Sequence, residues 1–454
     1  MIHIYRHMMS AAVWLALGAA AGCVLTPAGT REERAKAGKA GEPYTKQFSQ
    51  RTLPELPHIA TWRDVLSRVF LADGELEAAY FQWRAALERI DAEGSWPNSD
   101  VSIGYETMFS GAGVKSFDRM TFEAGFDSAL SLSFPTKTAQ RAKIALDEAR
   151  AAGERFRAVK FDLQKKVLFA WADYVLITRE IDAKREEVAL RKLLVDAGTI
   201  STSGGAGQGA LVRADIEQRL AEVELEDMVS DQAGMRAMLN SWMHRDVAQP
   251  IHVPAEPEAL RPVPSSDAEM IALAADEFPE VAMFAREVDG RRDALELARM
   301  RWIPDLSPTA SFTGTVAQTL GAMITLPTTI PEIRARIREA EADLRAAESV
   351  LRQKRAERVG EYIGLLLTLR RAQSRAELVR TSLMPGALRL AEAQQRSYEG
   401  GAVMLKDVLE SRELLLAVRL LAARADALAE RSLVDIECCL GIDIETVGSK
   451  EARR

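Results

Sequence analysis

A block near Pro135 recurs near Pro327, and a second block near Gly209 recurs near Gly401, both shifted by 192 residues. Arg141-Ala142-Lys143-Ile144 returns as Arg334-Ala335-Arg336-Ile337, one residue further on, and Asp215 returns as Asp407. The chain is therefore a tandem duplication. Repeats of roughly 20 to 50 residues stack into solenoids, whereas a unit this long means two copies of a larger supersecondary unit side by side.

Composition narrows what that unit is made of. With 47% hydrophobic and 28% charged residues in 454, the chain has enough apolar surface to fold. Aromatics stand at only 6%, while Ala, Leu, Glu and Arg abound, which favours long helices. The net charge of -7 argues against a nucleic-acid partner, which would require a basic face. Only Cys23, Cys438 and Cys439 occur, so no disulfide framework is implied. The five histidines are scattered, and none stands four residues from another beside a glutamate, as zinc hydrolysis would need. The glycines from Gly204 to Gly209 lie between helical patterns rather than after a buried strand, which is the wrong setting for a phosphate cradle. No enzyme activity, cofactor or metal is expected.

Arg6 and His7 precede an apolar stretch from Met8 to Ala21, long enough for a signal-peptide core and too short to span a bilayer. Residues 1–22 read as the signal. Ala20-Ala21-Gly22-Cys23 resembles a bacterial lipobox, although Ala20 stands where leucine is usual; Cys23 is the expected lipidation site. Residues 23–60, rich in charge, Pro and Gly, are expected to be a lipidated surface linker.

Residues 61–248 form the first repeat and 267–442 the second; the proline-rich stretch 249–266 links them, and 443–454 is a tail. Each repeat opens with an apolar stripe at steps of three and four, predicting helices over about 62–92 and 267–302. The period then falls to 2. Val101, Ile103 and Tyr105, and then Phe122, Ala124 and Phe126, alternate with polar residues, which predicts a hairpin over 100–134; its shorter counterpart covers 305–327. Such strands, about 9 to 11 residues long and two-faced, suit a membrane barrel. An open sheet in lipid would leave unpaired backbone groups at both edges, and four strands cannot close a barrel. Three copies supply twelve, so strand count points to a homotrimer with an axial pore.

Helical hairpins follow, over 136–245 and 331–440, with core positions averaging 3.5 residues, the coiled-coil period. Helices of roughly 65 residues would extend about 100 Å. Gly209 marks the turn of the first hairpin, and Gly400 with Gly401 that of the second.

These marks carry a resemblance. Tyr398-Glu399-Gly400-Gly401 followed by Asp407-Val408-Leu409-Glu410, the segment Trp302-Ile303-Pro304-Asp305-Leu306, and the strand-exit prolines Pro135 and Pro327 resemble the TolC family of outer membrane efflux proteins. The resemblance covers about residues 61 to 442. It implies a mainly α protein with membrane β: a protomer of two β-hairpins and long coiled-coil helical hairpins, three of which form a 12-stranded β-barrel continued by an α-helical barrel. It also implies an outer membrane exit duct, anchored in lipid and reaching into the periplasm, fed by an inner-membrane pump through a periplasmic adaptor. Asp407 and Glu410 would then be rings of carboxylates constricting the pore, and Asp215 with Tyr398 a latch between the two hairpins at the tip. Val403 stands where a family arginine can reinforce that latch. Helix capping is the competing reading for Asp407 and Glu410, and an adaptor-like or structural coiled-coil lipoprotein without a pore is the competing reading for the whole chain.

Overall fold

The computed structural model describes residues 24–95, 100–107, 120–127, 134–201, 208–254, 266–268, 278–313 and 317–441. Helices dominate, and the named strands fall into two hairpins, one per repeat. β1 (Asp100–Thr107) pairs antiparallel with β2 (Met120–Asp127), and β3 (Asp305–Thr313) with β4 (Ala317–Thr325). β2 also pairs with β3, Glu123 opposite Thr313 and Asp127 opposite Thr309, giving one sheet in the order β1-β2-β3-β4. Among the described residues β1 and β4 each keep one edge unpaired. The rest of the first expected hairpin, 108–119 and 128–133, lies outside the described residues.

The chain divides into two compact units. The first comprises Met1–Glu42, Ala79–Phe156 and Glu280–Arg355 and contains the sheet. Here α3 (Gly74–Gly94) packs on the start of α4 (Pro135–Ser201), with Ile90, Ala142, Leu146 and Ala149 fully buried. Pro135 opens α4, where its missing N–H is not needed and its fixed φ suits the first turn. Trp83 stacks on Phe156 at 5.7 Å, an approach that Gly153 permits, since a Cβ there would stand 2.9 Å from the indole. The buried Lys137 ties α4 to the start of β3, donating to the Ile303 carbonyl at 2.7 Å and to Asp305 at 2.8 Å. α6 (Pro279–Arg299) and the first part of α7 (Ile330–Leu378) complete this unit.

The expected linker is not loose. Leu25 N–H donates to the Gly94 carbonyl at 2.9 Å, and α1 (Thr30–Ala40) buries Glu33 and Ala37 while Arg34 pairs with Asp91 at 2.7 Å. Gly41, having no side chain, lets the Tyr80 hydroxyl lie against its backbone. Helix formers such as Ala35, Lys36, Ala37 and Lys39 outweigh the Pro and Gly that suggested a linker.

The second unit comprises Pro43–Ala78, Arg157–Pro279 and Ala356–Arg454. α2 (Trp62–Ala72) starts on a capping box in which Thr61 N–H donates to Asp64 at 2.9 Å. The single helix expected over 62–92 is broken at Asp73, which is extended (ψ 124°) and accepts the Leu76 N–H at 2.7 Å as the cap of α3. Asp and Gly in succession favour such a restart. α4 continues to Ser201, 67 residues in all and about 100 Å long, and α5 (Gln208–Trp242) follows. The core draws on Val167, Tyr174 and Ile181 of α4, Leu239 of α5, Tyr362 and Leu369 of α7, and Ile436 and Leu440 of α9 (Leu405–Leu440).

The second long helix, expected without interruption over 331–398, is not continuous. α7 stops at Leu378, a π-helical turn spans Val379–Leu383, and α8 runs Met384–Glu399. Pro385 explains the break, because its ring lacks an N–H and crowds the carbonyl four residues back. Of the helix expected over 267–302, Asp267 and Ala268 are helical, residues 269–277 lie outside the described residues, and α6 runs from Pro279 to Arg299 before a 3-10 turn at Met300–Trp302.

Candidate functional site at the helix tips

The turn between α8 and α9 is built by its glycines. Gly401 N–H donates to the Tyr398 carbonyl and Ala402 N–H to that of Ser397, both at 2.9 Å. Gly401 sits at φ +70°, left-handed backbone that glycine adopts at low cost. Gly400 N–H donates to the Arg396 carbonyl at 3.1 Å, which finishes α8. Gly209 lies not in a turn but inside the first helical turn of α5, exposed; residues 202–207, where the first hairpin reverses, are outside the described residues.

Asp407 caps α9. Its Oδ2 accepts the Met404 N–H at 2.9 Å, and its own N–H donates to the Met404 carbonyl at 3.1 Å. Glu410, one turn on, faces Lys406 at 3.4 Å and is largely exposed. Capping therefore occupies one carboxylate oxygen of Asp407 and leaves Glu410 at the surface. Asp215 is held by Arg219 at 3.0 Å on its own helix. Tyr398 is exposed, and within the chain the structure forms no hydrogen bond between it and Asp215. Cys23 lies outside the described residues.

Around these positions the helices are joined by charges that sequence reading did not single out. α4 and α9 carry an antiparallel ladder: Lys165 to Asp435 at 2.7 Å, Asp173 to Arg431 at 2.7 Å, Glu180 to Arg424 at 2.6 Å, and Glu186 to Arg419 at 3.4 Å. The partners rise along one helix at steps of six to eight as they fall along the other, a signal legible only once the two helices are known to face each other. Toward the tip the ladder gives way to apolar contact. Leu190 of α4 packs with Leu409 and Leu416 of α9. Beside them a groove of about 570 Å³ is lined by Leu193, Leu388 and Leu415, with Glu186, Arg412 and Arg419 on its rim.

α4 is also bound to α5. Lys184 reaches both Glu187 and Glu224, and Arg191 bridges Glu187 at 2.8 Å and Glu217 at 3.1 Å. Burial alone would raise the Glu187 carboxyl; the hydrogen bonds from Lys184 and Arg191 together outweigh it and hold the group below its ordinary range. Its contribution is present above the unfolded pKa and lost as pH falls through the folded one. Proteolysis of the α4–α5 segment is accordingly expected to accelerate below about pH 4, and Glu187→Gln to remove that dependence.

Among the described residues no helix is long and apolar enough to cross a membrane, and no three His, Cys, Asp or Glu side chains cluster as a metal site.

No family model matches the sequence, and no curated protein does. Solved structures do resemble the fold. The chain is similar to the open-state outer membrane channel MtrE of Neisseria gonorrhoeae (14% identity, 84% of this chain and 89% of that one, TM-score 0.69). It is similar to the outer membrane channel CmeC of Campylobacter jejuni (15%, 86% and 89%, TM-score 0.68). The outer membrane protein VceC of Vibrio cholerae is a third (15%, 84% and 96%, TM-score 0.67). The repeat, its hairpins of strands and its hairpins of helices thus assemble into the fold of the bacterial outer membrane channels, the fold that the sequence resemblance implies.

Proposed function

We propose that the chain is the outer membrane exit duct of a tripartite efflux or secretion system, receiving substrate from an inner-membrane pump and a periplasmic adaptor. The observation that carries this reading is the four-stranded sheet with unpaired β1 and β4 edges on a fold shared with outer membrane channels. Two open edges in lipid are costly, and pairing β4 of one copy with β1 of the next removes both. Three copies then close a 12-stranded barrel, and their helical hairpins continue it as an α-helical barrel. The described helices carry stripes suited to such packing. Val212, Ile216, Leu220 and Val223 form an exposed apolar line on α5, and Val359, Ile363 and Leu367 another on α7.

Cys23 is the proposed lipid attachment. Two residues on, the Leu25 N–H donates to the Gly94 carbonyl at the end of α3. Asp407 and Glu410 are the proposed constriction, each repeated three times about the axis.

In planar bilayers the purified protein is expected to form cation-preferring channels. Asp407→Ala with Glu410→Ala should raise conductance and bring the cation-to-anion permeability ratio about tenfold closer to unity. Asp215→Ala removes a solvated pair with Arg219, so the fold should survive; higher conductance would support a latch to Tyr398, and unchanged conductance would remove it. Release from membranes on removal of lipid alone, with no conductance, would favour a structural lipoprotein.

A further inference from the structure

We propose that Phe134, Trp302, Ile324, Leu326 and Ile330 form a girdle at the foot of the sheet that seats in the headgroup–acyl boundary of a phospholipid bilayer and so sets how deep the protein stands in the membrane. The inference rests on the duct reading and adds to it the plane at which lipid ends. All five side chains are between 44% and 64% exposed. One such residue needs no explanation, but five at one level mark an interaction surface.

Backbone pairing and one buried cation place them together. Lys137 N–H donates to the Phe134 carbonyl at 2.8 Å, while its Nζ reaches the Ile303 carbonyl at 2.7 Å and Asp305 at 2.8 Å, next to Trp302. In the β3–β4 register Asp305 stands opposite Thr325, which lies between Ile324 and Leu326. Ile330 opens α7 just beyond.

The surroundings argue for lipid rather than a protein partner. A protein interface is apolar at its centre and polar around its rim. Here charge lies on the helix side, with Arg301 facing Glu332 at 3.6 Å, Arg299 facing Glu341 at 3.9 Å and Arg336 facing Glu339 at 3.0 Å. On the strand side the register sets Leu306 opposite Ile324, Ala310 opposite Leu320 and Phe126, and Phe312 opposite Ala124, so apolar residues continue along one face of the sheet. Charge, then a tryptophan-bearing belt, then an apolar face is the gradient across a bilayer surface. An indole suits the belt because its body is apolar and its N–H can bond to headgroups.

Strand length selects the same plane. β3 has nine residues. Rising about 3.3 Å per residue and tilted about 40°, a strand of that length climbs about 23 Å, close to the ~25 Å apolar band of outer membrane barrels. A boundary placed higher on the sheet would leave too little strand to cross that band.

Fluorescence of the full-length protein in phosphatidylcholine vesicles tests this, with a spin label on the lipid chain either near the headgroup or near the chain end. The chain has seven Trp, so the Trp302 emission is read as the difference between the native protein and Trp302→Phe. That emission is expected to fall about twofold with the shallow label and by much less with the deep one. Leu326→Trp, read against the native protein, is a second reporter that keeps Trp302 in place and should add emission with the same preference. Conducting channels in which neither label quenches these two positions, or the deep label quenches them more, would overturn the girdle while leaving the duct intact. Vesicles that neither take up the protein nor conduct would remove the duct reading itself, and the girdle with it.

Discussion

Replacing Ile216 and Leu220 with aspartate is expected to abolish the proposed trimer while leaving the protomer folded. Both side chains are more than half exposed in the single chain, at 52% and 58%. Exposed substitutions usually change stability by less than about 0.5 kcal/mol, so the isolated protomer should tolerate them. In the proposed trimer the same stripe would face a neighbouring copy, and each unpaired carboxylate buried there would cost several kcal/mol, repeated at three interfaces. Light scattering in detergent should report the mass of one chain rather than three, with unaltered helical circular dichroism. A variant that remains trimeric would place the interface elsewhere on the helices.

Gly441→Ala is expected to be among the most damaging single substitutions. Gly441 terminates α9 at φ +63°, its N–H donating to the Glu437 carbonyl at 2.8 Å and its carbonyl accepting Arg157 Nη2 at 3.0 Å. A side chain in left-handed backbone costs about 1 to 2 kcal/mol. The added Cβ would also lie 2.1 Å from Pro279 Cγ and 2.8 Å from its Cδ, and a proline ring cannot swing away. Overpacking of that kind adds about 1 to 3 kcal/mol. The denaturation midpoint of the unit should fall by the equivalent of about 2 to 5 kcal/mol; a shift of under about 0.5 kcal/mol would mean that the α9 terminus is far more pliant than its contacts imply.

Much of the fold was legible because duplication and period are local signals. The change from steps of three and four to alternation announced the strands near Val101 and Phe122, and Pro135 marked the start of a 67-residue helix. Breaks inside helices were less visible. Asp73 and Pro385 each interrupt an apolar stripe that runs on through them, and periodicity reads past a single residue whose effect is on the backbone. The packed strap at 24–60 escaped notice because its order comes from distant partners: Tyr44 donates to the Phe70 carbonyl, and Gly41 yields space to Tyr80. At the tip, residue types and turn were readable, whereas partners were not. Asp407 takes the capping role that was its competing reading, and Asp215 faces Arg219, a partner fixed by side-chain geometry within one turn. The α4–α9 ladder joins segments far apart in sequence, and nothing in a single chain's spacing announces it.

The number of strands in one closed assembly tests the central claim most directly. Electron cryo-microscopy of the detergent-extracted protein is expected to show three copies about one axis, β4 of each hydrogen-bonded to β1 of the next, in a twelve-stranded barrel. A lone protomer, or an assembly in which those two edges stay unpaired, would contradict it.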